Sequence, residues 1–173
     1  RLYSFGESAI VLEYIDNAEV STSDVLTRQQ FLLEFAYQLR QSKSFTYITD
    51  GIIDCIPGNQ NLTILFDPLQ LTGKALTDIL RNQYVNLSAT EPRLLNRPPP
   101  VTIPVNYGGD FGPDLKQLAD YHGLSTADVI QLHSEPVYTV LFTGFLPGFP
   151  YLHGLPEALH TPRREMPRMT VNA

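Results

Sequence analysis

The chain has 173 residues, 43% apolar and 17% charged, with nine Phe, nine Tyr and a formal net charge of −6. Domains usually run to roughly 100–200 residues, so its length suits one large domain or two small ones, and its composition argues against disorder. The negative balance argues against nucleic-acid or anionic-membrane binding through a broadly basic surface. No apolar run approaches the roughly 18 residues of a membrane-spanning helix, and Arg1 leads into RLYSFGESAIVLEY without a secretory-signal layout. The expected location is the cytoplasm. A lone Cys55 fits a reducing compartment, where the sequons at Asn61 and Asn86 carry no meaning.

In chain order, SAIVLEYI (8–15) is apolar and β-branched enough for a strand, and TSDVLTRQQFLLEFAYQLRQS has helical spacing in Val25, Phe31, Leu32, Phe35 and Leu39. ITDGIIDCI and NLTILF then read as a hairpin turning at Pro57-Gly58-Asn59-Gln60. A helix over about 71–84, with Leu76, Ile79 and Leu80 on one face, closes an α+β unit spanning 1–90. EPRLLNRPPP (91–100) carries four prolines and no period, and marks a stiff linker before a second domain over 101–173. There VTIPVNY reads as a strand, GGDFGPD as a glycine turn with Pro113 at the first helical position, and DLKQLADYH as a helix stopped by Gly123. Ser125 and Asp128 form a capping box for TADVIQLH, Glu135-Pro136 ends that helix, and VYTVLFTG reads as a strand.

The pair LKQLADYHGLSTADVIQLH has the outline of a helix-turn-helix. Its second helix offers Thr126, Gln131 and His133 but no Lys or Arg for phosphates, so a plain helical hairpin is the better reading and no nucleic acid is expected. Gly73-Lys74 lacks the glycine and hydroxyl residue of a phosphate loop, and there is no dinucleotide fingerprint. The spacing of Cys55, His122, His133, His153 and His160 suits no metal site. Cys55 lies in an apolar strand, which predicts a buried, inert thiol. His133 stands in the last turn of its helix beside Glu135, where the helix C-terminus and a carboxylate favour its protonated form. It reads either as a proton-transfer group or as a C-capping histidine.

The densest local signal is GFLPGFPYL (144–152). Gly144, Pro147, Gly148 and Pro150 restrict the backbone and leave N–H groups facing outward, while Phe145, Phe149 and Tyr151 are expected to anchor the loop by burial. Beyond it, Pro162-Arg163-Arg164 and Pro167-Arg168 hold guanidinium groups close to stiff backbone, which suits capture of a carboxylate or phosphate. A rigid connection with solvated arginines is the simpler alternative.

Taken in order, Pro57-Gly58-Asn59 before NLTILF, VNYGGDFGPDL, GLS with LHSEPVYTV, GFLPGFPYL and LHTPRREMPRMTV make the chain resemble the bacterial 5-oxoprolinase B-subunit family, also called the KipI or allophanate hydrolase subunit 1 family. The resemblance implies an α+β N-terminal domain followed by a cyclophilin-like β-barrel. The barrel is expected to be incomplete, because family members continue past the equivalent of Val171 into further strands. It also implies work with 5-oxoprolinase subunits C and A, converting 5-oxoproline and ATP to glutamate, ADP and phosphate. Related domains occur in urea carboxylase, and one member inhibits a sporulation histidine kinase. Family positions carried onto this chain are His133, Gly144, Pro147, Gly148, Phe149, Pro150, Tyr151, Pro162, Arg163, Arg164, Pro167 and Arg168. Among these, His133 is the candidate catalytic residue, a proton shuttle at the lactam nitrogen. Gly148, Phe149, Tyr151, Arg163, Arg164 and Arg168 are the candidate substrate- or phosphate-binding residues. ATP is expected as co-substrate of the complex, and no metal is expected in this chain.

Overall fold

The computed structural model describes residues 1–14, 22–41, 51–88, 99–166 and Arg168. By packing, the chain divides into two units, Arg1–Arg97 with Val140–Tyr151 and Pro98–Thr139 with Leu152–Ala173. Most of the proline-rich segment read as a linker, the start of ITDGIIDCI and Pro167 lie outside the described residues.

The first unit is built on a four-stranded antiparallel sheet in the order β1-β2-β4-β3. Its strands are β1 (Leu2–Ser4), β2 (Ala9–Glu13), β3 (Ile52–Gly58) and β4 (Asn61–Phe66). In β4 the alternation expected of a half-buried strand holds strictly, with Leu62, Ile64 and Phe66 buried. Opposite them in β2, Leu12 pairs with Leu62 and Ile10 with Ile64, so each cross-strand pair adds apolar surface to the core. Pro57 falls on β3, an edge strand, where a missing N–H costs no ladder hydrogen bond on the open side.

Two helices complete this core, α1 (Thr22–Gln41) and α2 (Gly73–Ser88). From α1 come Leu32, Phe35 and Leu39, and from α2 Leu76, Leu80 and Leu87. Phe31, at the margin of the predicted stripe, stacks against Phe35 and meets Tyr14 and Tyr84 edge-on. The apolar spacing predicts an end to α2 at about Tyr84; the observed helix carries Leu87 into the core one turn later.

Gln29 breaks the apolar stripe of α1. It is 1% exposed, one turn before Leu32, and its amide is fully used. Nε2 donates to Gly58 O at 3.0 Å and Leu141 O at 3.2 Å, and Oε1 accepts from Gln60 N–H at 3.0 Å. Gln60 has φ 55, the left-handed region that costs a side-chain-bearing residue about 1 kcal/mol or more. The predicted turn is thereby tightened to Asn59-Gln60, with Pro57 and Gly58 drawn into the strand. The same amide holds β5 (Thr139–Thr143), which forms a two-stranded sheet with β6 (Pro150–His153).

The second unit centres on a helical hairpin, α3 (Leu115–His122) and α4 (Thr126–Ser134). Gly123 ends α3 at φ 66, and the Ser125–Asp128 capping box is formed in full. Ala119 and Val129 are buried where the helices meet, and Leu159, from a 3₁₀ turn at Glu157–Leu159, covers them. Two expectations are corrected here. VTIPVNY forms no strand: Val101, Ile103 and Val105 are exposed, and among the described residues no strand pairs with it, so the segment has no ladder. Pro113 precedes the helix, whose N-cap is Asp114, rather than starting it. Among the described residues the strands form the four-stranded and two-stranded sheets only, with no closed barrel.

No helix among the described residues is long and apolar enough to cross a membrane. Two tests probe the first unit. Replacing Gln29 by Leu leaves two carbonyls and one N–H without their buried partner, and should cost about 2–4 kcal/mol in urea unfolding; a loss under about 1 kcal/mol would show that the amide is dispensable. Cys55 is 1% exposed, and burial, the largest cause, pushes its thiol from 9.0 up to about 11. That raised value contributes stability fully present below about 9 and lost as pH climbs toward 11. The native chain should therefore stay silent to an aromatic disulfide thiol reagent at pH 8 and release one equivalent on unfolding; rapid native labelling would contradict an inert core thiol.

Candidate functional site

Val129 faces the core of the second unit, and four residues later along the same face of α4 stands His133. Beside it opens a cavity of about 790 Å³, lined by residues including Tyr107, Asp114, Leu118, Val129, His133 and Arg168. Its floor is the apolar meeting of α3 and α4, and its polar groups sit on the rim.

The loop after Tyr107 sets that rim. Gly108 and Gly109 have φ 144 and 53, and a 3₁₀ turn spans Gly109–Phe111. A Cβ on Gly112 would meet Gly108 N at 2.8 Å, so the loop closes on itself only because glycine stands there. This closure places Tyr107 on one side of the turn and Asp114 on the other. Tyr107 Oη lies 2.5 Å from His133 Nδ1, with the rings edge to face at 5.6 Å. Tyr138 approaches from elsewhere: its hydroxyl donates to His133 O at 2.8 Å, and its ring lies 5.7 Å from the imidazole. Burial, with a smaller contribution from Tyr107, raises the Tyr138 phenol above its ordinary range.

Asp114 is the N-cap of α3, yet its side chain makes no cap hydrogen bond. Its Oδ1 accepts instead from Arg164 Nη1 and Arg168 Nη2, each at 2.5 Å. The three side chains are between 36% and 53% exposed, so the pairs add little stability. Two guanidinium groups thus share one carboxylate, and Asp110 adds a second acidic side chain to the cavity lining. The arginine-bearing segment is tied to α3 by His122 Nε2 and Thr161 Oγ1 at 2.9 Å, while the Thr161 hydroxyl donates to Leu159 O.

Of the sequence-predicted residues, the structure therefore brings His133 and Arg168 to one cavity and sets Arg164 on the same carboxylate as Arg168. Arg163 is exposed and makes no ion pair among the described residues. Glu135, expected to act on the His133 ring, accepts from Gln131 Nε2 instead. Gly148, Phe149 and Tyr151 lie on the β5–β6 hairpin of the other unit. That hairpin departs from expectation in two respects. Its aromatics are exposed, Phe145 by 84% and Phe149 by 46%, and they pack on one another: Phe142 stacks on Tyr151 at 4.5 Å, and Phe149 meets Phe145 and Tyr151 edge to face. The N–H groups of Gly144, Leu146 and Phe149 turn inward, to Phe149 O, Gly144 O and Leu146 O. A six-residue connection is too short to reach a core and must satisfy its own backbone.

Tyr107 and Asp114 fall within VNYGGDFGPDL, one of the blocks that carries the family resemblance, but neither stands out there as a site residue. One ends an apolar run and the other closes a turn, and the glycine cluster between them is the nearest signal to either.

The family model for the carboxyltransferase domain, subdomain C and D, matches residues 1–173. The chain is 38% identical over 174 residues to a protein named as the B subunit of 5-oxoprolinase from Escherichia coli O157:H7, covering all of this chain and 72% of that protein. It is 37% identical over 173 residues to the protein of the same name from Haemophilus influenzae, covering 73% of it. Among solved structures, TTHA0988 superposes with a TM-score of 0.65 at 28% identity, covering 92% of this chain and 27% of that one. With a family model matched along its whole length and relatives this similar over most of theirs, the chain belongs to the carboxyltransferase subdomain C and D family and, within it, to the family of 5-oxoprolinase B subunits.

Proposed function

We propose that this chain serves as the B subunit in an ATP-dependent 5-oxoprolinase complex in the cytoplasm, acting with subunits C and A to open 5-oxoproline to L-glutamate. The names of its relatives support the reaction. The observation that carries it to particular residues is the single cavity lined by both His133 and Arg168. The cyclophilin-like character of the second domain, and its start near residue 101, belong to the same reading.

A lactam is a poor electrophile, and ATP as co-substrate supplies the phosphoryl group that activates its carbonyl oxygen. The protein's part is to hold the ring and stabilise charge as it develops. Arg168, with Arg164 beside it, receives an anionic group of substrate or nucleotide, which shares or replaces the Asp114 carboxylate on the guanidinium groups. His133 serves the ring nitrogen, whose departure as an amine requires a proton. Gly148, Phe149 and Tyr151 are proposed as binding residues on the hairpin, with no role in proton transfer. The chain alone is proposed to be inactive, because no phosphate-loop motif occurs in it.

Reconstitution with subunits C and A tests this. Glutamate should form from 5-oxoproline only when this chain and ATP are both present. Arg168→Lys keeps the charge and loses the fork, and should lower turnover about tenfold or more. His133→Gln should lower it about a hundredfold, while Arg163→Lys stays within about twofold. Equal turnover without this chain, or wild-type rates for folded Arg168 and His133 variants, would reject the assignment.

A further inference from the structure

We propose that Tyr107 is the positioning residue of His133: its hydroxyl donates to Nδ1, fixes the neutral ring as the Nε2–H tautomer, and so makes His133 a donor towards substrate. The 2.5 Å separation of Tyr107 Oη and His133 Nδ1 is the short contact from which this starts. Either group could supply the proton in principle, and the chemistry favours the phenol. A phenol is the more acidic donor and a neutral imidazole nitrogen the more basic acceptor, whereas a phenol oxygen accepts weakly from an imidazole N–H. Which nitrogen of a histidine carries hydrogen is set by what the other nitrogen bonds to. With Nδ1 accepting, hydrogen resides on Nε2, which has no partner among the described residues.

The rest of the neighbourhood serves the same end. The Gly108-Gly109-Phe111 turn, closed tightly at Gly112, leaves Tyr107 little freedom to swing away. Tyr138 flanks the imidazole and ties down the His133 carbonyl, limiting both ring rotation and fraying of the last turn of α4. Tyr107, His133 and Tyr138 are each half-buried, so the pair is partly shielded from water that would otherwise compete for Nδ1. The arrangement commits the neutral ring to giving a proton. As the lactam C–N bond breaks, its electron pair passes to nitrogen, which takes the Nε2 proton; Nδ1 takes the Tyr107 proton so that the ring stays neutral, and the phenolate left on Tyr107 regains a proton from solvent.

The kinetic part of this inference rests on the 5-oxoprolinase reading; the tautomer does not. The test uses nitrogen-15 NMR of the whole chain labelled at histidine, with His133 assigned from His133→Gln, at a pH where the ring is neutral. Expected is a pyridine-type Nδ1 and a pyrrole-type Nε2, with the preference relaxing in Tyr107→Phe. In the reconstituted complex Tyr107→Phe should lower kcat about tenfold or more with KM nearly unchanged, since the substrate-binding groups are untouched. A pyrrole-type Nδ1 in the wild-type chain overturns the proposal, as does a Tyr107→Phe variant that keeps both tautomer and kcat. If the complex shows no 5-oxoprolinase turnover, the proposed function fails while the NMR result still decides the role of Tyr107.

Discussion

One buried amide ties together the parts of the first unit that sequence separates most. Gln29 occupies a position on α1 where the helical period calls for an apolar side chain, and it places three hydrogen bonds where the packing offers only backbone. A leucine there would fill the space but would leave Gly58 O, Gln60 N–H and Leu141 O to find partners in a core that has none to spare. The turn between β3 and β4 can hold Gln60 in the left-handed region because its N–H is accepted from below. The β5 strand is held by an interaction that reaches 112 residues along the chain. A polar residue at the centre of an apolar face thus serves as a specification of geometry, since only one placement of these three segments satisfies it.

In the second unit the comparable constraint is glycine. Three glycines within five residues make a loop that closes on its own backbone, and the loop decides where Tyr107 and Asp114 stand. Each then takes an unexpected partner. Tyr107 meets the histidine at the end of α4, and Asp114 gives up the usual N-cap bond to serve two arginines that arrive from the far end of the unit. The candidate site is therefore assembled by helix ends and a turn around the small apolar cluster of Ala119, Val129 and Leu159. Such a cluster is modest beside the core of the first unit, so the placement of these polar groups leans on local backbone restraint more than on burial.

The aromatic hairpin shows a different balance. Phe145, Phe149 and Tyr151 stay open to solvent while packing on one another and on the half-buried Phe142, and the loop between the strands spends N–H groups on its own carbonyls. Phe145 accepts φ 66, a conformation that phenylalanine seldom adopts. Strain at a bulky residue is held in place by the hydrogen bonds on either side, which makes the loop rigid without being buried.

How much of this was legible depended on range. Helical spacing found α1 and α2, because burial repeats along a regular element and leaves its mark in neighbouring residues, while β3 and β4 were legible as short apolar runs on either side of turn residues. Short-range chemistry found the Gly123 stop and the Ser125–Asp128 box, because each partner lies within four residues of the other. The ordered blocks, taken together, marked the family. What the sequence could not reveal is every feature that joins distant residues: Gln29 to Leu141, Tyr107 to His133, Asp114 to Arg164 and Arg168. It also misjudged VTIPVNY and the aromatics of the hairpin, for a related reason. A strand needs a partner strand and an aromatic needs a core within reach, and neither is a property of the segment itself. Local pattern determined which elements form; only tertiary packing decided which of their polar groups meet, because a hydrogen bond across the fold depends on angles and distances that no stretch of sequence contains.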